Sequence, residues 1–207
     1  MRIRGVVLLL VAATLLGVPA ATAPAQQDDE PRFVPTYGLG DQMMTINLGV
    51  FIPLFFAGGP DGVADTNLSL GGTGNLQWTT HISNNVAVGG ELGGMFAFSP
   101  SRTLFMVPIT ARVEYFFRNY PWEFPVHLGA GMNISRIPDE ATKIDPILKP
   151  GISMYYNTTG EWAFGANLVY WWVPQFYGDT EFQDPDLGDE DRFGNFLELS
   201  FSALYRF

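Results

Sequence analysis

Six ionisable residues, Glu91, Arg112, Glu114, His127, Lys149 and Glu198, are set singly or in pairs among apolar and small residues. Groups of these types can pair into a structural salt-bridge network, gate a narrow pore, or supply acid–base chemistry. Hydrolysis by a nucleophile would need one of the chain's two histidines, His81 or His127, beside a serine and a carboxylate. A second concentration of charge is GDTEFQDPDLGDEDR, residues 178–192, which carries seven acidic residues. It could attract divalent cations or a basic partner, but it lacks the ligand spacing of an EF-hand loop. With no cysteine in the chain, disulfides and thiolate metal sites are excluded. Neither a metal nor a cofactor is expected. A net charge of −10 argues against nucleic acid, whose phosphates require clustered Lys and Arg.

The elements that hold the six ionisable residues read as strands, because apolar and polar side chains alternate with period 2. Met44, Ile46, Leu48 and Val50 oppose Thr45, Asn47 and Gly49; Leu76 and Trp78 oppose Asn75, Gln77 and Thr79; Val88, Leu92 and Phe96 oppose Ala87, Glu91 and Gly93. Ile109, Val113 and Tyr115 oppose Thr110, Arg112 and Glu114, and Val126, Leu128 and Met132 oppose His127, Gly129 and Asn133. Ile152, Met154 and Tyr156 oppose Lys149, Gly151 and Ser153; Phe164, Leu168 and Tyr170 oppose Gly165 and Asn167; Leu199, Phe201, Ala203, Tyr205 and Phe207 oppose Glu198, Ser200, Ser202 and Arg206. Eight such segments of about 10 to 13 residues match the span of a tilted strand across a bilayer. Pro108 and Pro150 fall inside the fourth and sixth, where bulges or shifted strand ends are expected; Pro53 and Pro125 lie near strand ends and are less disruptive.

The polar faces are mostly Gly, Ser, Thr and Asn, and charged residues make up 15% of the chain. A water-facing surface carries more charge than that. The interior of an eight-stranded barrel has room for little else. The expected fold is therefore all-β, an eight-stranded antiparallel up-and-down transmembrane β-barrel over residues 42–207.

Residues 1–25 read as a signal peptide: MRIR is a basic start, GVVLLLVAATLLG an apolar run, and Ala23-Pro24-Ala25 a cleavage site. Residues 26–41 form a polar linker on the periplasmic side. ISNN (residues 82–85), RNYPWE (118–123) and NTTG (157–160) are short turns alternating with longer connections at residues 57–65, 99–103, 136–145 and 174–194. Bacterial barrels keep short turns in the periplasm and longer loops outside, so both chain ends are expected in the periplasm. Trp78, Tyr115, Phe117, Tyr156, Trp162, Tyr205 and Phe207 would form the lower aromatic belt, and Phe98, Phe105, Tyr170 and Trp172 the upper.

With these features the chain resembles the small outer-membrane barrels of the OmpA, OmpX and OmpW type. TNLSLGGTGNLQW, ANLVYWW and GNFLELSFSALY look most like the small barrels of treponemes and other spirochaetes. The resemblance implies that the last strand, through Leu199, Phe201, Ala203, Tyr205 and Phe207, is the signal read by the barrel-assembly machinery. It also implies an outer-membrane location and an interior network acting as a plug.

Both histidines lie toward the periplasmic ends, out of reach of outer-leaflet lipid, so no enzyme is expected. The expected role is structural or surface-facing, with the polar network as plug and the external loops open to a host or surface ligand. The expected partners are the outer-membrane bilayer and the assembly machinery, with the barrel a monomer. The alternative is a narrow channel, or an OmpW-like pore for small hydrophobic molecules, in which Phe51, Trp171 and Phe196 line an apolar outer mouth.

Overall fold

The computed structural model describes residues 36–58, 62–99, 103–136, 142–158, 160–176 and 192–207. The expected signal peptide, most of the linker and the acidic stretch up to residue 191 lie outside the described residues. The strands are β1 (Gln42–Ala57), β2 (Val63–Ala64), β3 (Gly71–His81), β4 (Val86–Phe98), β5 (Thr103–Asn119), β6 (Trp122–Arg136), β7 (Lys143–Asn157), β8 (Trp162–Gln175) and β9 (Arg192–Arg206). Each long strand pairs antiparallel with the next, and β1 pairs with β9 from Met43↔Arg206 to Ala57↔Phe193, closing an eight-stranded barrel. The two-residue β2 folds back on the far end of β1, with Phe56 opposite Ala64.

The alternation decides which side of the wall each residue occupies. Outward side chains such as Leu48 and Phe201 are 66% and 61% exposed, whereas inward Lys149 and Glu198 are 1% and 0% exposed. Most large apolar residues are outside and the charged ones on the strands inside, the pattern of a barrel set in lipid, while a smaller apolar set that includes Phe51, Phe116 and Trp171 is buried within. Aromatic contacts ring the outward face near the end where β1 begins and β9 finishes. They include Trp162–Tyr205 at 4.9 Å, Tyr115–Phe117 at 4.9 Å and Trp122–Tyr156 at 5.0 Å. At the opposite end Phe96–Phe98 lie 5.6 Å and Trp172–Phe193 5.9 Å apart. The end where β1 begins and β9 finishes is called the lower end below, and the other the upper end.

The long strands run 11 to 17 residues, and all but β3 and β4 exceed the 10 to 13 expected because their ladders continue past the apolar band. The β5–β6 hairpin shows this best. Asn119 pairs with Trp122 and Arg118 with Glu123, so the turn shrinks to Tyr120–Pro121 and its flanking residues become strand.

The prolines behave differently from expectation. Pro108 keeps the register with β6, opposite Asn133, and toward β4 the pairing lapses between Leu92↔Ile109 and Met95↔Met106 without a shift. No bulge is needed because Gly93 makes room: a Cβ there would lie 2.9 Å from Cγ of Pro108. Pro150 likewise holds register with Leu128, and the ladder toward β8 is interrupted between Leu148↔Trp172 and Gly151↔Val169. The irregularity falls instead in β1, between Pro53 and Phe55 against β9. A proline beside a two-sided ladder removes one hydrogen bond, and the extra residue of a bulge absorbs the mismatch.

Candidate functional site in the barrel interior

The interior is built in three tiers. The upper tier is apolar: Phe51, Met95, Ala97, Met106, Ile147, Val169, Trp171, Val173 and Phe196 are buried against one another, with Phe56, Leu68 and Leu104 packed on them. Within it Phe51 meets Trp171 edge-on at 5.2 Å and Phe196 at 5.0 Å. The three residues expected at an apolar mouth therefore touch one another, side by side on the neighbouring strands β1, β9 and β8. Leu68 joins this tier from the segment before β3, outside the pleat.

The middle tier holds the charges. Arg112 and Glu114 are two apart on β5 and so share a face, and Arg112 Nε donates to Glu114 Oε1. Arg112 Nη1 reaches Glu91 Oε2 on β4 at 3.0 Å. Lys149 on β7 crosses the lumen to donate to Glu91 Oε1, and its Nζ lies 3.6 Å from Glu198 Oε2 on β9. Glu91 also accepts from Gln77 Nε2 at 3.2 Å, and Glu198 from Asn75 Nδ2 at 3.1 Å, Ser200 Oγ at 3.1 Å and Trp171 Nε1 at 2.9 Å. The Lys149 ammonium also sits 4.1 Å over the Trp171 ring, which ties the charged tier to the apolar one above. Asn47 continues the chain by donating to Asn75, and Asn167 donates to Asn47 at 2.8 Å. Strand tilt and stagger bring Glu91 within reach of both Arg112 and Lys149. Gly129 stands opposite both cations in the ladders and offers no side chain between them.

Five of the six expected residues thus form one connected chain, Glu114–Arg112–Glu91–Lys149–Glu198. His127 does not join it. Neither ring nitrogen has a hydrogen-bond partner among the described residues, although Glu114 is its ladder neighbour. Its ring lies over Gly151, where a Cβ would come 2.3 Å from Nε2, so the glycine is what admits the imidazole.

The lower tier joins an apolar ring, Met43, Ala87, Phe116, Tyr155, Ala163 and Leu204, to a second charge cluster that the alternation did not single out. Glu123, on β6, is buried and accepts from Arg206 Nη2 at 2.8 Å, while Arg118 Nε lies 3.4 Å from it. Tyr37, from the segment before β1, donates its phenol O–H to Glu123 Oε1 at 3.2 Å. Its ring stacks on His81 at 4.5 Å and 12°, with the Arg118 guanidinium 4.2 Å above its centroid. Burial, reinforced by Glu123, pushes the phenol well above the usual tyrosine range, so it stays a proton donor. Glu123 was hidden from sequence reading because RNYPWE looks like a loop. The signal was the opposite-charge pair Arg118 and Glu123 placed symmetrically about Tyr120–Pro121, as cross-strand partners would be.

The C-terminal residues proposed by resemblance as an assembly signal face outward: Leu199, Phe201 and Phe207 are exposed, and Ala203 and Tyr205 partly so. Phe207 N and O exchange hydrogen bonds with Gln42 O and N at 3.0 and 3.1 Å, so the last residue fastens the seam to the first strand.

A treponemal protein-family model matches residues 25–205. An uncharacterised protein of Borreliella burgdorferi is 28% identical over 191 residues, covering 82% of this chain and 86% of the relative. An uncharacterised protein of Treponema pallidum is 28% identical over 143 residues, covering 63% of this chain and 64% of the relative. Among solved structures, Neisserial surface protein A superposes with a TM-score of 0.56 at 13% identity, covering 81% of this chain and 97% of that one; this likeness is one of fold.

Proposed function

Because the chain belongs to the treponemal family whose model spans residues 25–205, and folds as a small closed barrel, we propose that it is an integral outer-membrane protein whose interior is a structural plug. One observation carries the reading: a buried, mutually paired charge chain lies between two apolar tiers, each crossing the lumen. Paired and hydrogen-bonded charges in so narrow an interior hold opposite walls together, and truncating one partner leaves the other costly and uncompensated. Short turns at the lower end support a periplasmic orientation for both termini, and the longer upper connections are then free for contacts outside the cell. No catalytic step is assigned to any residue. The protein acts as a monomeric barrel partnered by the lipid around it and by the machinery that inserts it.

Purified protein in planar bilayers is expected to show no steady unitary conductance at neutral pH. Steady steps would overturn the plug and favour the narrow-channel reading. The contacts among Phe51, Trp171 and Phe196 weigh against a pore for small hydrophobic molecules, since those rings fill the space that such a molecule would need.

The C-terminal signal gives a separate expectation. Deleting Phe207 removes the hydrogen-bonded closure to Gln42 and the exposed terminal ring, and should lower the yield of folded barrel in the outer membrane, read by heat-modifiable gel mobility. Removing a residue from an upper loop should leave that yield near the parent level. Equal yields for the two deletions would sink the assignment.

A further inference from the structure

Tyr37 occupies a site built for one aromatic side chain. One face of the ring lies on His81 and a guanidinium lies 4.2 Å from its centroid, with Arg206 at 5.4 Å. The phenol donates to Glu123, and the backbone N–H donates to Asn84 Oδ1 at 3.0 Å. Each contact comes from a different part of the barrel: His81 ends β3, Asn84 is in the β3–β4 turn, Arg118 and Glu123 flank the β5–β6 turn, and Arg206 ends β9. The segment behind the ring is held as well, by Gly40 N–H to His81 O at 2.9 Å and His81 N–H to Asp41 O at 2.8 Å.

We propose that Tyr37 is an intramolecular latch: the segment before β1 turns its aromatic ring into a cage at the lower mouth and closes that end of the barrel. The cage sits on the lower apolar ring, since His81, under the Tyr37 ring, packs against Phe116 of that ring at 5.2 Å and pairs with Ala87 in the ladder. Stacking and cation–π contacts are each modest, so the latch opens by local release of one short segment while the barrel stays folded. It is distinct from the upper seal, whose fully buried members among the described residues all lie on strands. The proposal therefore does not depend on whether the lumen conducts from end to end.

The chain has no cysteine, so a single introduced thiol reports on one place. Ala87→Cys sits in the lower ring beside His81, and Ala97→Cys in the upper tier; both alanines are fully buried. The full-length barrel carrying either change is reconstituted in lipid nanodiscs, and its labelling rate with a charged, membrane-impermeant thiol reagent is measured with and without Tyr37→Ala. Loss of the ring should speed labelling at the lower position about 10- to 100-fold, consistent with losing two or three aromatic and cationic contacts, and leave the upper position unchanged. Tyr37→Phe, which retains the ring, should stay close to the parent rate. An unchanged rate at the lower position overturns the latch. So does equal acceleration at both positions, which would mean general loosening, or a Tyr37→Phe rate matching that of Tyr37→Ala. Conductance is a separate readout, so failure here is distinguishable from failure of the plug.

Discussion

Replacing Lys149 with methionine should destabilise the barrel by about 3–5 kcal/mol, the usual cost of stripping one partner from a buried ion pair. Lys149 stands between Glu91 and Glu198, and its removal leaves Glu91 with Arg112 alone among the cations of the described residues and Glu198 with none of them. Methionine is close to lysine in length and is apolar, so little packing is lost and the effect reports on charge. The measurement is the urea midpoint of the barrel folded in detergent micelles, followed by gel mobility. Adding Glu91→Gln and Glu198→Gln to the same chain should recover a large part of the loss, since a neutral amide is far less costly to bury than an unpaired carboxylate. A Lys149→Met midpoint equal to the parent's would show that the interior is wet enough to screen the charges, and the plug would fall with it.

Trp171→Ala is the second large effect, expected to cost about 3–5 kcal/mol, as truncation of a large buried aromatic does elsewhere. Trp171 fills the upper tier beside Phe51, donates to Glu198 at 2.9 Å and presents its ring face to the Lys149 ammonium. Its loss opens a cavity and uncovers the middle tier from above. The same variant in planar bilayers should give brief conductance events where the parent gives none. Trp171→Phe keeps most of the packing and loses the indole N–H, so it should cost only about 1–3 kcal/mol through the hydrogen bond removed from Glu198 and should remain silent. If both variants unfold at the parent midpoint, the upper tier is not a seal.

The strand pattern was legible because the pleat enforces it. Once Leu199 and Phe201 face one way, Glu198, Ser200 and Ser202 must face the other, and this holds for every long strand. The inward set was therefore readable down to Glu91, Arg112, Glu114, His127, Lys149 and Glu198. The places where reading stopped short are those where a turn was misjudged or a neighbour compensated. Glu123 looked like loop until Arg118 opposite it extended the ladder. Pro108 looked like a bulge, but Gly93 on the next strand makes room for its ring. Tyr37 looked like linker, and nothing near it in sequence announces a cage assembled from β3, two of the lower turns and β9.

What the chain's own order determined is local: a period of 2 and short turns between neighbouring strands, and from these the barrel class and the face each residue occupies. Which charges meet is a different matter. Arg112 and Glu114 are neighbours on one strand and could be paired by inspection, whereas Lys149 with Glu91 and Arg206 with Glu123 join positions 58 and 83 residues apart. Those partners are chosen by strand tilt, stagger and the closure of β1 on β9, which set heights and distances across the lumen. A periodic sequence carries no record of them.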